Sequence, residues 1–138
     1  MNISASLVNK RGEHTVSLQT NNHQHSLTIP PKQEGFGSSA NGGELLFLAL
    51  ATCYCNDLYR ESKNHGIEIE TVEVEVFGEF GGVGEPARQI SYKASVAAKA
   101  PQEKILVLMR HTDTVAEIQN TLRLALPVVL AECTAREV

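Results

Sequence analysis

The chain carries three cysteines, and two of them, Cys53 and Cys55, stand in its most apolar run. A cysteine attacks other molecules as the thiolate, which forms readily only beside a cation or a hydrogen-bond donor. Without such a neighbour it packs as a small hydrophobe. Asp57 and Arg60 follow Cys53 by four and seven residues, so on a helix they share its face. There they either form an interface ion pair, or Arg60 tunes the thiolate. Cys55 lies about 200° round such a helix from Cys53, so the two cannot bridge within it, and the pair is not a Cys-x-x-Cys motif. Cys133 is expected in the core of a final strand. No cysteine has histidines at zinc-ligand spacing, so neither a metal site nor a cofactor is expected. Further on stand Arg110, His111, Asp113, Glu117, Asn120 and Arg123. Asp113, Glu117 and Asn120 fall at i, i+4 and i+7, one helical face. It is either a solvated face with a cap or the polar wall of a site. His111 reads as a helix-end residue meeting terminal carbonyls rather than as a base.

The elements that must position these groups follow from periodicity. Ile3, Ala5 and Leu7 alternate with polar residues, as do Val16 and Leu18, and Leu27 and Ile29 complete a three-strand meander with turns at Lys10–Glu13 and Asn21–Asn22. Pro30–Pro31 ends it. A Gly/Ser/Asn-rich loop, residues 32–43, leads into Asn41-Gly42-Gly43-Glu44, a capping box. The helix that follows, Leu45 to Asn64, is apolar all round in its first half and should be buried on every side; Gly66 stops it. Ile67 to Phe80 alternates as a strand, with a phase shift at Thr71–Val72 that marks a bulge. A second strand places Ile90, Tyr92, Ala94 and Val96 on one face. Pro101 opens a helix with Ile105, Leu106, Leu108 and Met109 as its stripe. Thr112-Asp113-Thr114 should break it, with Asp113 or Thr114 capping a further helix through Val115, Ile118, Leu122 and Leu124. Leu126 to Thr134 reads as a closing strand. The order β-β-β-α-β-β-α-α-β describes an α+β domain with mainly antiparallel pairing.

With 138 residues, 42% of them hydrophobic, the chain fits one domain, 1–138. Twelve Lys and Arg against sixteen Asp and Glu leave a net charge of −4, which disfavours nucleic acid or an anionic membrane as partner. No run is long enough to span a bilayer, the polar start is unlike a signal peptide, and an odd cysteine count argues against a disulfide framework. A reducing cytoplasm is the default compartment.

The run GFGSSANGGELLFLALATCYCNDL, followed by a Val-rich strand, resembles the OsmC/Ohr family of small cysteine-dependent peroxidases. The matching elements are the loop Gly35 to Gly43, Glu44-Leu45-Leu46, and Ala49-Leu50-Ala51-Thr52-Cys53; the element order matches over nearly the whole chain. The resemblance implies an OsmC-like fold, with antiparallel sheets wrapped around a central buried helix in an intertwined homodimer and sites at the subunit interface. It implies a peroxiredoxin-like role in oxidative-stress defence: Cys53 attacks a hydroperoxide and becomes a sulfenic acid. The chain departs from the family pattern in three places. The resolving cysteine would fall near Val115–Ala116, where none exists. The arginine-holding glutamate would stand at Gly43, leaving Glu44 as a cap. The family arginine is matched only by Arg11, without its Gly-Gly surroundings. The expectation is either a one-cysteine hydroperoxide reductase needing an external thiol reductant, or a non-peroxidatic member binding a small apolar or thiol-reactive ligand. On this reading Cys53, Arg11 and Arg60 are the catalytic set, with Asp113, Glu117, Asn120 and Cys55 lining the pocket.

Overall fold

The structure is a computed structural model describing residues 1–135. It is α+β, with two antiparallel sheets and three helices among the described residues. The chain divides into two compact units, Met1–Leu46 and Phe47–Val138.

The first unit holds β1 (Ile3–Lys10), β2 (Glu13–Thr20) and β3 (His23–Ser26) as the expected meander. β3 is shorter than the pattern implied: pairing stops at Ser26, and Leu27 and Ile29 lie beyond the ladder. The glycine-rich loop is tied down by Asn9, whose side chain donates to the Gly37 carbonyl (3.2 Å) and accepts from the Gly37 amide (3.0 Å). The capping box forms reciprocally. Glu44 N–H donates to Asn41 Oδ1 (3.0 Å), and Asn41 N–H donates to Glu44 Oε2 (2.7 Å). These bonds satisfy donors that the first helical turn leaves free, and Glu44 is thereby a cap.

Helix α1 (Gly42–Asn64) leads into the second unit, which adds β4 (Ile69–Phe80), β5 (Ala87–Ala98), α2 (Gln102–Val115) and α3 (Glu117–Arg123). α1 ends before Gly66, whose φ of +63° is the left-handed stop. β4 and β5 pair antiparallel, with register shifts at Ile69/Thr71, beside the expected bulge, and at Phe77/Glu79. Gly78 is required at the second shift: a Cβ there would come within 2.6 Å of the Phe47 ring. Tyr54, Leu58, Ile67, Leu108 and Ala116 form the buried core, with Cys53, Val72, Val74, Tyr92, Ala94 and Val96 packed at its edge.

Four expectations are corrected. α1 is not buried on every side in the single chain. Its buried residues Leu50, Tyr54, Leu58 and Ser62 recur every four residues as one stripe, and Leu48 is 57% exposed. Thr112-Asp113-Thr114 does not break α2. Thr112 is fully buried and its hydroxyl donates to the Leu108 carbonyl (2.9 Å), a bond made within a continuous helix. The break comes at Ala116, extended at φ −68° and ψ 110°, and no side chain caps α3. Residues 126–134 are irregular, with no strand pairing them and Val128 99% exposed; Pro127 also lacks a ladder donor. Cys133 is therefore exposed rather than core.

Candidate functional site

Cys53 faces along α1 toward the start of α3. Its thiol donates to Asp57 Oδ2 at 3.4 Å and reaches Glu117 Oε2 at 3.9 Å. The helical repeat of α1 supplies Asp57 one turn on. Glu117 arrives because Ala116 turns the chain between α2 and α3. Arg60, one further turn along α1, takes the outer oxygens of the same carboxylates: its Nη1 lies 2.7 Å from Asp57 Oδ1 and 3.3 Å from Glu117 Oε1. Glu61 Oε1 holds Arg60 Nε at 3.0 Å, and Glu61 Oε2 lies 3.2 Å from His111 Nε2. Each carboxylate thus gives one oxygen to the guanidinium and turns the other to the sulfur.

The electrostatics follow from this arrangement. Burial pushes the Cys53 thiol above its ordinary pKa; the Ile118 amide works against this, while Asp57 and Glu117 add to it by disfavouring a neighbouring thiolate. Burial also raises Asp57, which is 4% exposed, with the Glu117 charge adding to the effect and Arg60 opposing it. Glu117, mostly exposed, is held below the usual carboxylate range by its own backbone amide and by Arg60. Arg60 reaches the sulfur only through the two carboxylates. The cation expected to stabilise the thiolate therefore neutralises acids instead.

The other expected pocket residues are dispersed. The break at Ala116 separates Asp113, on α2, from Glu117 and Asn120, on α3, so the shared face assumed across all three does not exist. Asp113 accepts from the Tyr92 hydroxyl and pairs with Arg123 Nη2 at 2.7 Å. Burial works against its ionisation, but these two partners hold it below the usual range. Tyr54 beside it is pushed up to about 12 by burial and by the Asp113 charge. Asn120 donates to the Thr114 carbonyl (3.0 Å) and accepts from Arg123 (3.0 Å). Cys55 lies on another side of α1, by a shallow groove with Ala51, Thr52, Asn56, Val72 and Val74. His111 meets Glu61, not helix-terminal carbonyls. Arg11 sits exposed in the β1–β2 turn of the first unit.

Two features escaped the sequence reading. Glu61 anchors Arg60, and its adjacency to Arg60 was the available signal. A cavity of about 320 Å³ opens between Leu50, Ile90, Tyr92, Gln119, Leu122 and Arg123. Gln119 donates to the Leu50 carbonyl (3.0 Å) while its Oε1 is buried without a hydrogen-bond partner among the described residues. Nothing in the local pattern of α3 marks this glutamine.

Among the described residues no helix is long and apolar enough to cross a membrane. No curated protein matches the chain. Solved structures do. The OsmC-like protein of Mycoplasma pneumoniae shares 19% identity, with 88% of this chain and 86% of that one covered at a TM-score of 0.60. An OsmC-like protein of unknown function from Vibrio cholerae shares 12%, covering 88% and 93%, also at 0.60. An organic hydroperoxide resistance protein of Bacillus subtilis shares 17%, covering 89% and 91% at 0.54. At such identities these likenesses bear on the fold. The family model described as OsmC-like protein matches residues 35–131, which takes in the loop, all of α1 with Cys53, the β4–β5 hairpin, and α2 and α3. The chain belongs to the OsmC-like family.

Proposed function

We propose that this chain is a one-cysteine, thiol-dependent hydroperoxide reductase acting through Cys53, with Asp57 as the proton acceptor. The observation that carries the reading is the 3.4 Å contact from the Cys53 thiol to a buried carboxylate that Arg60 holds in place. The Cys53 proton passes to Asp57, and the thiolate attacks the distal peroxide oxygen. The S–O bond forms as the O–O bond breaks, and the leaving alkoxide takes the proton held by Asp57 and departs as the alcohol. Cys53 is oxidised to the sulfenic acid and the hydroperoxide is reduced. An external thiol then displaces water from the sulfenic acid, giving a mixed disulfide, and a second thiol releases Cys53. Cys55 and Cys133 have no part in this cycle. Family membership and the hydroperoxide resistance protein among the similar structures support the substrate class. The exposed apolar residues of α1, Leu48 among them, support a homodimer with this site near the interface. The test is hydroperoxide consumption in the presence of dithiothreitol. Saturable turnover that disappears in Cys53→Ser is expected; turnover unchanged in that variant overturns the reading.

A second reading has its own observation. The carboxylates beside Cys53 disfavour the thiolate, and the cavity by Leu50, one turn before Cys53, is large enough for a small apolar ligand. On this reading the protein binds such a ligand without turnover. An unreactive Cys53, together with saturable binding of an apolar fluorophore that Leu122→Arg abolishes, selects it.

A further inference from the structure

We propose that Cys53, Asp57 and Glu117 form a binding site for a divalent cation of borderline softness, Zn²⁺ in the first instance. The inference goes beyond the hydroperoxide reading and does not depend on it.

The three donor atoms lie within 4.8 Å of one another. In a tetrahedral zinc site with bonds of about 2.3 Å to sulfur and about 2.1 Å to oxygen, a sulfur and an oxygen ligand stand about 3.6 Å apart. The Cys53 sulfur stands 3.4 Å from Asp57 Oδ2 and 3.9 Å from Glu117 Oε2, on either side of that value. A thiol has one proton, and two carboxylate oxygens are turned to it. A cation set among the three atoms would serve all of them.

Arg60 strengthens the case rather than occupying the site. It binds Oδ1 of Asp57 and Oε1 of Glu117 and leaves Oδ2 and Oε2 to the sulfur. Ligating carboxylates are commonly oriented by such outer partners. Charge also favours a cation. With Glu61 counted, the thiolate and three carboxylates carry four negative charges against one positive charge on Arg60, and a divalent cation brings the cluster to −1. Binding releases the Cys53 proton to solvent. The donor set of one sulfur and two oxygens suits zinc better than calcium or magnesium, which take oxygen ligands, or copper(I), which takes soft ones. Glu117, on the solvent side with its side chain 65% exposed, leaves room for water as a fourth ligand. Local spacing does not reveal such a site, because Glu117 stands 64 residues from Cys53.

The test uses the full-length chain carrying Cys55→Ser and Cys133→Ser, so that Cys53 is its one thiol. Titrating the reduced protein with Co²⁺ should give a thiolate-to-cobalt charge-transfer band that saturates at one equivalent and is displaced by Zn²⁺. Asp57→Asn and Glu117→Gln should each weaken binding at least tenfold. Arg60→Ala should weaken it by about tenfold, as for an outer-shell partner. Zinc should also protect Cys53 from alkylation, with protection lost in Glu117→Gln, whose exposed position should leave folding intact by circular dichroism. The proposal is overturned if no charge-transfer band forms, or if the band and the protection persist at unchanged affinity in both carboxylate variants, which would mark a lone thiol collecting metal. Hydroperoxide turnover is scored separately, so either property can fail without the other.

Discussion

Two carboxylate–arginine networks lie in the second unit and reach opposite ends. Around Asp113, Oδ1 accepts from both Arg123 and the Tyr92 hydroxyl, and Arg123 also bonds Asn120 and the Asp113 carbonyl. Every strong donor there has an acceptor. Around Asp57, Arg60 is engaged by three acids, and the remaining carboxylate oxygens face a thiol with a single proton to give. The first network joins β5 to α2 and α3 and leaves no strong donor unmet. The second is left short of positive charge at the sulfur. The same side-chain chemistry therefore closes on itself in one place and leaves a thiol among carboxylate oxygens in the other.

The sharpest way to break this contrast is to remove each network's end group. Cys53→Ser should abolish thiol-dependent hydroperoxide consumption, whereas Tyr92→Phe should leave it within about twofold of the parent, since that hydroxyl lies outside the Cys53 cluster. Equal losses in both assays would erase the distinction. For stability the ranking reverses. Asp113→Ala strands the half-buried Tyr92 hydroxyl and the Arg123 donors, and should cost about 1–3 kcal/mol in denaturant unfolding.

The Asp57 network should show itself in reactivity against pH. Asp57→Asn removes a charge that disfavours the thiolate, so the alkylation profile of Cys53 should move to lower pH by about one unit, worth about 1.4 kcal/mol. Asp57 and Glu117 are the charged groups in contact with the sulfur, with Arg60 behind them, and Glu117→Gln should move the profile the same way by less. A shift to higher pH would overturn the reading that Asp57 disfavours the thiolate.

Stability against pH should separate the two acids as well. Asp113 has a lowered folded pKa, so its contribution is present above the unfolded value and is lost as pH falls through the folded one. Asp57 has a raised folded pKa, so the folded state holds its proton longer and stability falls as pH rises between the unfolded and folded values. Urea midpoints measured from about pH 3 to 6 should therefore lose a rising component in Asp113→Asn and a falling one in Asp57→Asn. The smallest effect belongs to Arg60→Ala. The guanidinium is half exposed, although Asp57 and Glu61 opposite it are largely buried, and stability should change by about 1 kcal/mol.

The fold was largely legible because its signals are local. The capping box, the Gly66 stop, the bulge near Thr71 and the alternation of β4 and β5 each lie within a few residues and appear where the pattern placed them. The site was legible only in part. Cys53, Asp57 and Arg60 sit on one helix, and their spacing brought them together. Asp113 and Asn120 were assigned to the wrong neighbours because the helix break was placed at the polar residues Thr112 to Thr114. Threonine and aspartate are common caps, but burial of Thr112 and its bond to Leu108 keep α2 intact. The break falls instead at an alanine with no local signal.

That alanine ties chain length to chemistry. Ala116 is fully buried and is the single residue between α2 and α3. A substitution at an exposed residue of either helix changes one side chain. Inserting or deleting one residue at this extended joint would instead shift and reorient the whole of α3 relative to α2 and carry the Glu117 carboxylate away from the sulfur. Sequence drift on the surfaces of the two helices is thus cheap, while a change of one residue in the length of their connection would dismantle the site and leave each helix intact.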